Sequence, residues 1–342
     1  MSQHRLSEGK LLNEKGNLCE AGYAFSLVKA YDRNDVKAGK VRIKEWDYYL
    51  IFNKDYAIAL TIDDNGYMGL ISASFLDFGV PFEHTETPMF WFPLGEVGFP
   101  NTSSTGDVQK ELKGCKAAFK HTEQGRILTL HLDRFDGDEP LDVDILLTDE
   151  PQDSMVIATP FDKAGHFYYN QKIVAMRAQG SVSYKGKLFS FDHQNSFGLL
   201  DWGRGVWTYE NTWYWSAAQG EQSGHVVGFN LGYGFGDTKA ASENMVFVDG
   251  KAHKLEGVDF GIPHKDGKDD FMSPWHFTST DGRLDLVFTP IIDRASDTNV
   301  LVIRSNQHQV FGRFSGKLIL DDGSEFIITE LMGFAEKVMN RW

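Results

Sequence analysis

Five times this sequence sets a residue-glycine pair between two runs rich in β-branched and aromatic side chains: Asn65-Gly66, Gln124-Gly125, Lys185-Gly186, Asp249-Gly250 and Asp322-Gly323. Glycine reaches the positive φ angles that a tight hairpin turn demands, so each pair folds its flanking strands back on one another. Strands joined in this way are antiparallel, and their spacing predicts an all-β sandwich or barrel. The composition agrees, with 34 Gly and 13% aromatic residues, both suited to strands and turns. Helical periodicity is confined to short pieces such as SLVKAYDRNDVKA, so only a few short helices are expected.

The order of these features is duplicated. Arg177-Ala178-Gln179-Gly180 is followed by a strand, a glycine turn at 186, a second strand and Gly198. Arg313-Phe314-Ser315-Gly316 is followed by a strand, a glycine turn at 323, a second strand and Gly333. Asp47-Tyr48-Tyr49 opens a hairpin ending in SASFLDF, and Trp213-Tyr214-Trp215 leads into GFNLGYGFGD. Two similar β-rich halves are expected, over 41–205 and 206–342, with residues 1–40 as an extension packed on the first. The plain alternative is that glycine-turn hairpins look alike by chance. No linker rich in Pro, Gly and Ser separates the halves, so close packing is expected.

A formal charge of −14, from 34 basic and 48 acidic residues, opposes a polyanionic partner, and no nucleic acid is expected. No run of 18 apolar residues exists to span a bilayer, so no membrane span is expected. The opening MSQHRLSEGK lacks an apolar signal core, and a cytoplasmic location is expected. Cys19 and Cys115 have no partner at metal spacing and are read as small buried hydrophobes without a disulfide. The oligomeric state is left open.

Four of the eight tryptophans fall in FDHQNSFGLLDWGRGVWTYENTWYWSAA, residues 191–218. Trp202, Trp207, Trp213 and Trp215 are large rigid walls whose indole N–H groups need partners, which suits the rim of a ligand pocket. Tyr214 alternates between the last two. On a strand through residue 193, alternation places Phe189, Phe191 and His193 on one face and Asp192 on the other. His193 is then either a satisfied core histidine or a titrating group beside an apolar wall. Asp201 and Arg204 either form a local salt bridge that pins a loop or orient a ligand between them. Downstream, Gly228, Asn230, Gly232 and Gly234 share one strand face, leaving space for a bulky neighbour or a ligand, and Asn230 is the polar side chain in that row. Asp237, Glu243 and Asn244 read as a solvated turn.

Dinucleotide, Walker, H-E-x-x-H, C-x-x-C and G-x-S-x-G motifs are absent, so no cofactor is expected. The ten other histidines are scattered, and no metal site is expected.

The stretch FDHQNSFGLLDWGRGVWTYENTWYWSAA, together with GFNLGYGFGDTKAASENMVFVDGK and FGRFSGKLILDDGSEFIITELMGFAEKVMNRW, resembles a bacterial family known only as a domain of unknown function. The resemblance reaches back to LLNEKGNLCEAGYAFSLVKAYDR and so covers nearly the full chain. That family is distantly similar to the lipocalin-like tandem-barrel proteins that include the AttH proteins, carotenoid hydratase and related fungal hydratases and cyclases. The resemblance implies two lipocalin-like (calycin) antiparallel barrels side by side. In the carotenoid hydratase branch an Asp protonates an alkene, with a His and aromatic residues around it. Asp192-His193 resembles the Asp-His element of that branch, with Gln194-Asn195 standing where the branch continues into Trp-Gly.

Three functions are consistent with these residues, all directed at a hydrophobic or amphipathic small molecule or a sugar. The first is a hydratase, isomerase or cyclase without a cofactor. In it Asp201 or Asp192 protonates the substrate, His193 relays the proton and the tryptophans hold a carbocation by cation-π attraction. The second is a carrier that buries the same ligand without chemistry. The third is a carbohydrate-active enzyme built on aromatic platforms and a carboxylate pair.

Overall fold

A computed structural model describes residues 3–300 and 303–341. Two large antiparallel sheets follow one another along the chain. The first contains β1 (Lys44–Phe52), β2 (Tyr56–Asp64), β3 (Met68–Asp77), β4 (Phe82–Glu86), β5 (Cys115–Thr122), β6 (Gly125–Asp136), β7 (Glu139–Thr148), β8 (Phe167–Tyr184) and β9 (Phe197–Val206). The second contains β10 (Glu210–Gln222), β11 (His225–Tyr233), β12 (Met245–Val248), β13 (Lys251–Lys254), β14 (Trp275–Ser279), β15 (Leu284–Val300), β16 (Ile303–Ile319) and β17 (Glu325–Arg341).

The strand order is the same in both. The first sheet runs β4-β3-β2-β1-β9-β8-β7-β6-β5 and the second β13-β12-β11-β10-β17-β16-β15-β14. Each curls around its own core, so the chain is all-β with two barrel-like sheets side by side, as the hairpin spacing predicts. Gly180 and Gly316 occupy matching positions, at φ of 137° and 149°. A Cβ at either would press on a neighbouring backbone oxygen, Asp144 O at 2.1 Å or Asp285 O at 2.2 Å. The duplicated Arg-x-x-Gly motif therefore marks a backbone position that only glycine fills without strain.

Period-two alternation sorts the side chains into four buried clusters, of which three define the architecture. Tyr49, Ile51, Leu60 and Trp202 fill the first barrel. Phe229, Trp275, Phe288 and Phe314 fill the second. Leu50, Phe52, Trp215, Phe311 and Phe334 form a third cluster between the sheets. Each such side chain contributes about 1.5–3 kcal/mol on burial, so the outer faces of the two sheets are bound to one another. Only residues 207–209 separate β9 from β10, and the chain passes directly between the sheets there.

The segment SLVKAYDRNDVKA is not an α-helix. Lys29 and Tyr31 are buried while Ala30 is exposed, which is the period of a strand, and Lys29–Ala30 pairs with Gly9–Lys10. Asp32 caps a single 3-10 turn, Arg33–Asp35, through the Asn34 N–H. Among the described residues the only helical elements are this turn and Lys40–Arg42, and no helix is long and apolar enough to cross a membrane. Cys115 is buried as expected, but Cys19 is exposed, and both are free thiols.

Candidate functional site

A cavity of about 950 Å³ opens between the outer faces of the two sheets. Its chemistry lies in two cross-strand rows that the duplication makes equivalent. In the first sheet, ladder partners run Tyr48, Asp201, Lys172 across β1, β9 and β8. In the second they run Trp215, Glu336, Gln309, Arg294 across β10, β17, β16 and β15. Asp201 stands three residues after Gly198, and Glu336 three residues after Gly333. Every member of both rows lines the cavity.

The two carboxyls are held differently. Asp201 Oδ1 takes an ion pair from Lys172 Nζ at 3.0 Å and a hydrogen bond from Asn170 Nδ2 at 2.6 Å. The same ammonium lies 4.0 Å from the centre of the Trp215 ring, a cation-π contact across the cavity. Glu336, in contrast, has neutral donors. Trp213 Nε1 donates to Oε1 at 2.9 Å and Gln309 Nε2 to Oε2 at 2.8 Å. Burial pushes the Glu336 pKa up to about 7, against the opposing pull of those two donors and of Arg294 and Lys172. A carboxyl so placed both gives and takes protons near neutrality.

A third carboxyl is carried by the glycine face of β11. Trp215 Nε1 donates to Asn230 Oδ1 at 2.7 Å, and Asn230 Nδ2 donates to Glu243 Oε2 at 3.0 Å. Glu243 occupies the space left by Gly232, where a Cβ would stand 2.5 Å from its Oε1. Burial raises its pKa, with Lys172 and the Asn230 bond opposing. Glu243 therefore belongs to the cavity wall and not to a solvated turn, while the neighbouring Asn244 is buried and accepts the Gly232 N–H.

The apolar wall is built around Phe235. Its ring meets Tyr168, Trp207 and Trp213 edge to face at 4.9, 5.6 and 5.4 Å. Trp46 extends the wall, stacked on Tyr168 at 5.9 Å and edge-on to Trp207 at 5.3 Å. Elsewhere on the lining, burial lifts the Asp63 carboxyl to about 7 despite hydrogen bonds from the Leu70 N–H and the Asn65 amide.

Of the residues singled out in the sequence, Asp201, Trp207, Trp213 and Trp215 line the cavity, and Asn230 lies behind Trp215. Trp202, Arg204 and Tyr214 point the other way, into the barrels. Arg204 is fully buried, with Nη1 3.1 Å from Asp47 Oδ1 and its guanidinium 4.1 Å from the Trp202 ring centre. Tyr214 stacks on Tyr233 at 4.3 Å. Asp192 and His193 are exposed and lie outside the cavity lining. The strand ends at Phe191, and Asp192 Oδ1 accepts the Gln194 N–H to form a turn, so alternation does not extend to His193. His193 pairs instead with Asp149 at the surface, at 2.8 Å.

Sequence spacing does not point to Lys172, Arg294, Gln309 or Glu336, and it reads Tyr48 only as the start of a hairpin and Glu243 only as part of a solvated turn. One signal would have found Glu336: carrying the repeat three residues beyond Gly198 and Gly333 sets it against Asp201.

The fold and cavity define a class of all-β protein with two equivalent sheets enclosing a ligand-sized space. Residues 3–342 match the model of the family described as a domain of unknown function, DUF2804, and the chain belongs to that family. No curated protein matches it. Among solved structures it is similar to a putative AttH from Nitrosomonas europaea, at 12% identity over 90% of this chain and 96% of that one, with a TM-score of 0.54. It is also similar to kievitone hydratase from Nectria haematococca, at 10% identity over 99% and 97% of the two chains, with a TM-score of 0.48. CghA with Sch210972 follows, at 12% identity over 98% and 97%, with a TM-score of 0.49. The family and the AttH likeness are those the sequence resemblance names, and the latter supports the fold.

Proposed function

We propose that the cavity binds a hydrophobic or amphipathic small molecule and that Glu336 exchanges protons with it, as in a hydratase, isomerase or cyclase that needs no cofactor. The observation that carries this reading is one carboxyl, buried at the cavity wall, held by neutral donors and titrating at about 7. In its protonated form Glu336 delivers a proton to a substrate carbon: the O–H bond breaks, a C–H bond forms and positive charge develops on the adjacent carbon. The faces of Trp213 and Phe235 stabilise that charge. Glu336, now a carboxylate, then removes a proton from a neighbouring carbon or from an attacking water. Asp201 is a positioning residue in this scheme, fixing the Lys172 ammonium against Trp215.

The test begins with native mass spectrometry of protein purified from its own host, to identify a ligand that co-purifies. That ligand is then incubated in D2O with the wild type and with Glu336→Gln. The wild type is expected to incorporate deuterium at carbon, and the variant to lose about 100-fold or more of that rate while still binding. Equal incorporation by the two proteins contradicts the proposal, and binding with no exchange by either identifies a carrier.

A further inference from the structure

The two equivalent rows differ in where the cation stands. In the first, Lys172 is the ladder neighbour of Asp201 and pairs with it. In the second, Gln309 takes that place and Arg294 is moved one strand outward, about 4.8 Å further along the row. The displacement leaves both charges of the second row without an ionic partner. Glu336 keeps only neutral hydrogen-bond donors. Arg294 is half-buried on the cavity lining, with Nη1 donating to Ser74 Oγ at 2.7 Å and, among the described residues, no carboxylate within the 4.0 Å of an ion pair.

A half-buried guanidinium without a counter-ion is uncommon in a chain with 14 more acidic than basic residues. Arginine keeps its charge under all ordinary conditions and offers five N–H donors, in a fork that fits a carboxylate. Its immediate surroundings are prepared for a polar group. Ser74 also accepts from Thr85 Oγ1 at 2.8 Å, and Ser72 and Thr87 line the same part of the cavity. Glu83 and Glu86 border it from β4 without reaching Arg294. The acids facing the cavity interior do not cancel this cation: Asp201 is bound to Lys172, and burial favours the neutral forms of Asp63, Glu243 and Glu336.

We infer that Arg294 is the recognition site for an acidic head group, so that the ligand is an apolar acid with its carboxylate at Arg294 and its hydrocarbon against the Phe235 wall. This inference rests on the cavity reading above and narrows it to one class of molecule. A carboxylate at Arg294 lies one strand from Gln309 and two from Glu336, which places the reacting carbons of such a ligand a short distance from its head group.

The test uses cis-parinaric acid, a fluorescent polyene acid, and its methyl ester, which has the same hydrocarbon without the charge. Wild-type protein is expected to bind the acid about ten-fold or more tightly than the ester. Arg294→Gln is expected to reduce that preference to below two-fold, and Arg294→Lys to restore part of it. The ester's own binding signal reports that each variant is folded. Equal affinity for acid and ester in the wild type, or a preference that survives Arg294→Gln, overturns this inference while leaving the cavity reading in place. Failure of the wild type to bind either probe overturns both.

Discussion

The two cross-strand rows of the cavity are the same structural position used twice, and they have been given opposite electrostatic tasks. Row one, Tyr48-Asp201-Lys172, closes its charges on each other. Row two, Trp215-Glu336-Gln309-Arg294, keeps them apart with a neutral amide. The strand order follows the same plan in both, and each carboxyl stands three residues after its glycine and is flanked directly by its two ladder partners. One side chain, Lys172 against Gln309, sets whether the buried carboxyl beside it has an ionic partner or a neutral donor. Duplication of a sheet thus supplies one half whose cavity charges are paired and one whose charges are not, facing each other across the cavity.

The largest expected effect breaks the half whose charges are paired. Asp201→Asn leaves the Lys172 ammonium buried without its counter-ion and is expected to cost about 3–5 kcal/mol in urea unfolding. Glu336→Gln, which keeps the shape and strands no charge, is expected to cost about 1 kcal/mol or less. Glu336 also carries a pH dependence. Burial raises Glu336 from its ordinary 4.5 to about 7, so the folded state holds that proton more tightly than the unfolded chain. The stability this confers is complete below about 4.5 and is lost as pH rises to about 7, and the Gln variant removes that slope. Equal costs for the two variants would show that the rows do not differ as described.

The next effect converts one row into the other. Gln309→Lys sets a cation beside Glu336 as Lys172 stands beside Asp201. It is expected to draw the Glu336 pKa down toward the ordinary carboxylate range, with turnover at neutral pH falling about ten-fold and the high-pH limb of the pH-rate profile moving to lower pH with it. An unchanged profile would separate Glu336 from the chemistry.

The smallest effect tests the equivalence itself. Gly180→Ala and Gly316→Ala each force a Cβ onto a backbone oxygen in the same geometry, and each is expected to cost about 1–2 kcal/mol. Thermal unfolding of the two variants, by circular dichroism, should give similar losses. A loss at one position alone would break the correspondence between halves.

Much of this architecture is legible in the chain before folding. Glycine pairs announce the hairpins because positive φ is a local demand, written into local sequence. The Arg-x-x-Gly repeat exposes the duplication for the same reason. The tryptophans of residues 207–215 are read as cavity walls, and they line it. The acid is harder to see. Glu336 ends a run buried on both faces from Leu331 onward, so no alternation or motif marks it, and its neighbours Trp213, Gln309 and Arg294 come from three other strands. Its reactivity is a product of register and burial, which sequence spacing does not display. Asp192 and His193 show the converse. Their adjacency to aromatic residues looks like a site, yet a strand that ends at Phe191 turns them out to solvent. Arg204 likewise lies one strand step from the right face, and a shift of one residue is the difference between cavity and barrel interior.

The central claim is that Glu336, beside Trp213 and Trp215, is a titrating acid of the cavity. Protein carrying 13C-carboxyl glutamate, compared by NMR with the Glu336→Gln variant to assign the resonance, reports that titration directly. The account predicts a midpoint near 7 in the wild type. A midpoint near its ordinary 4.5 would contradict it.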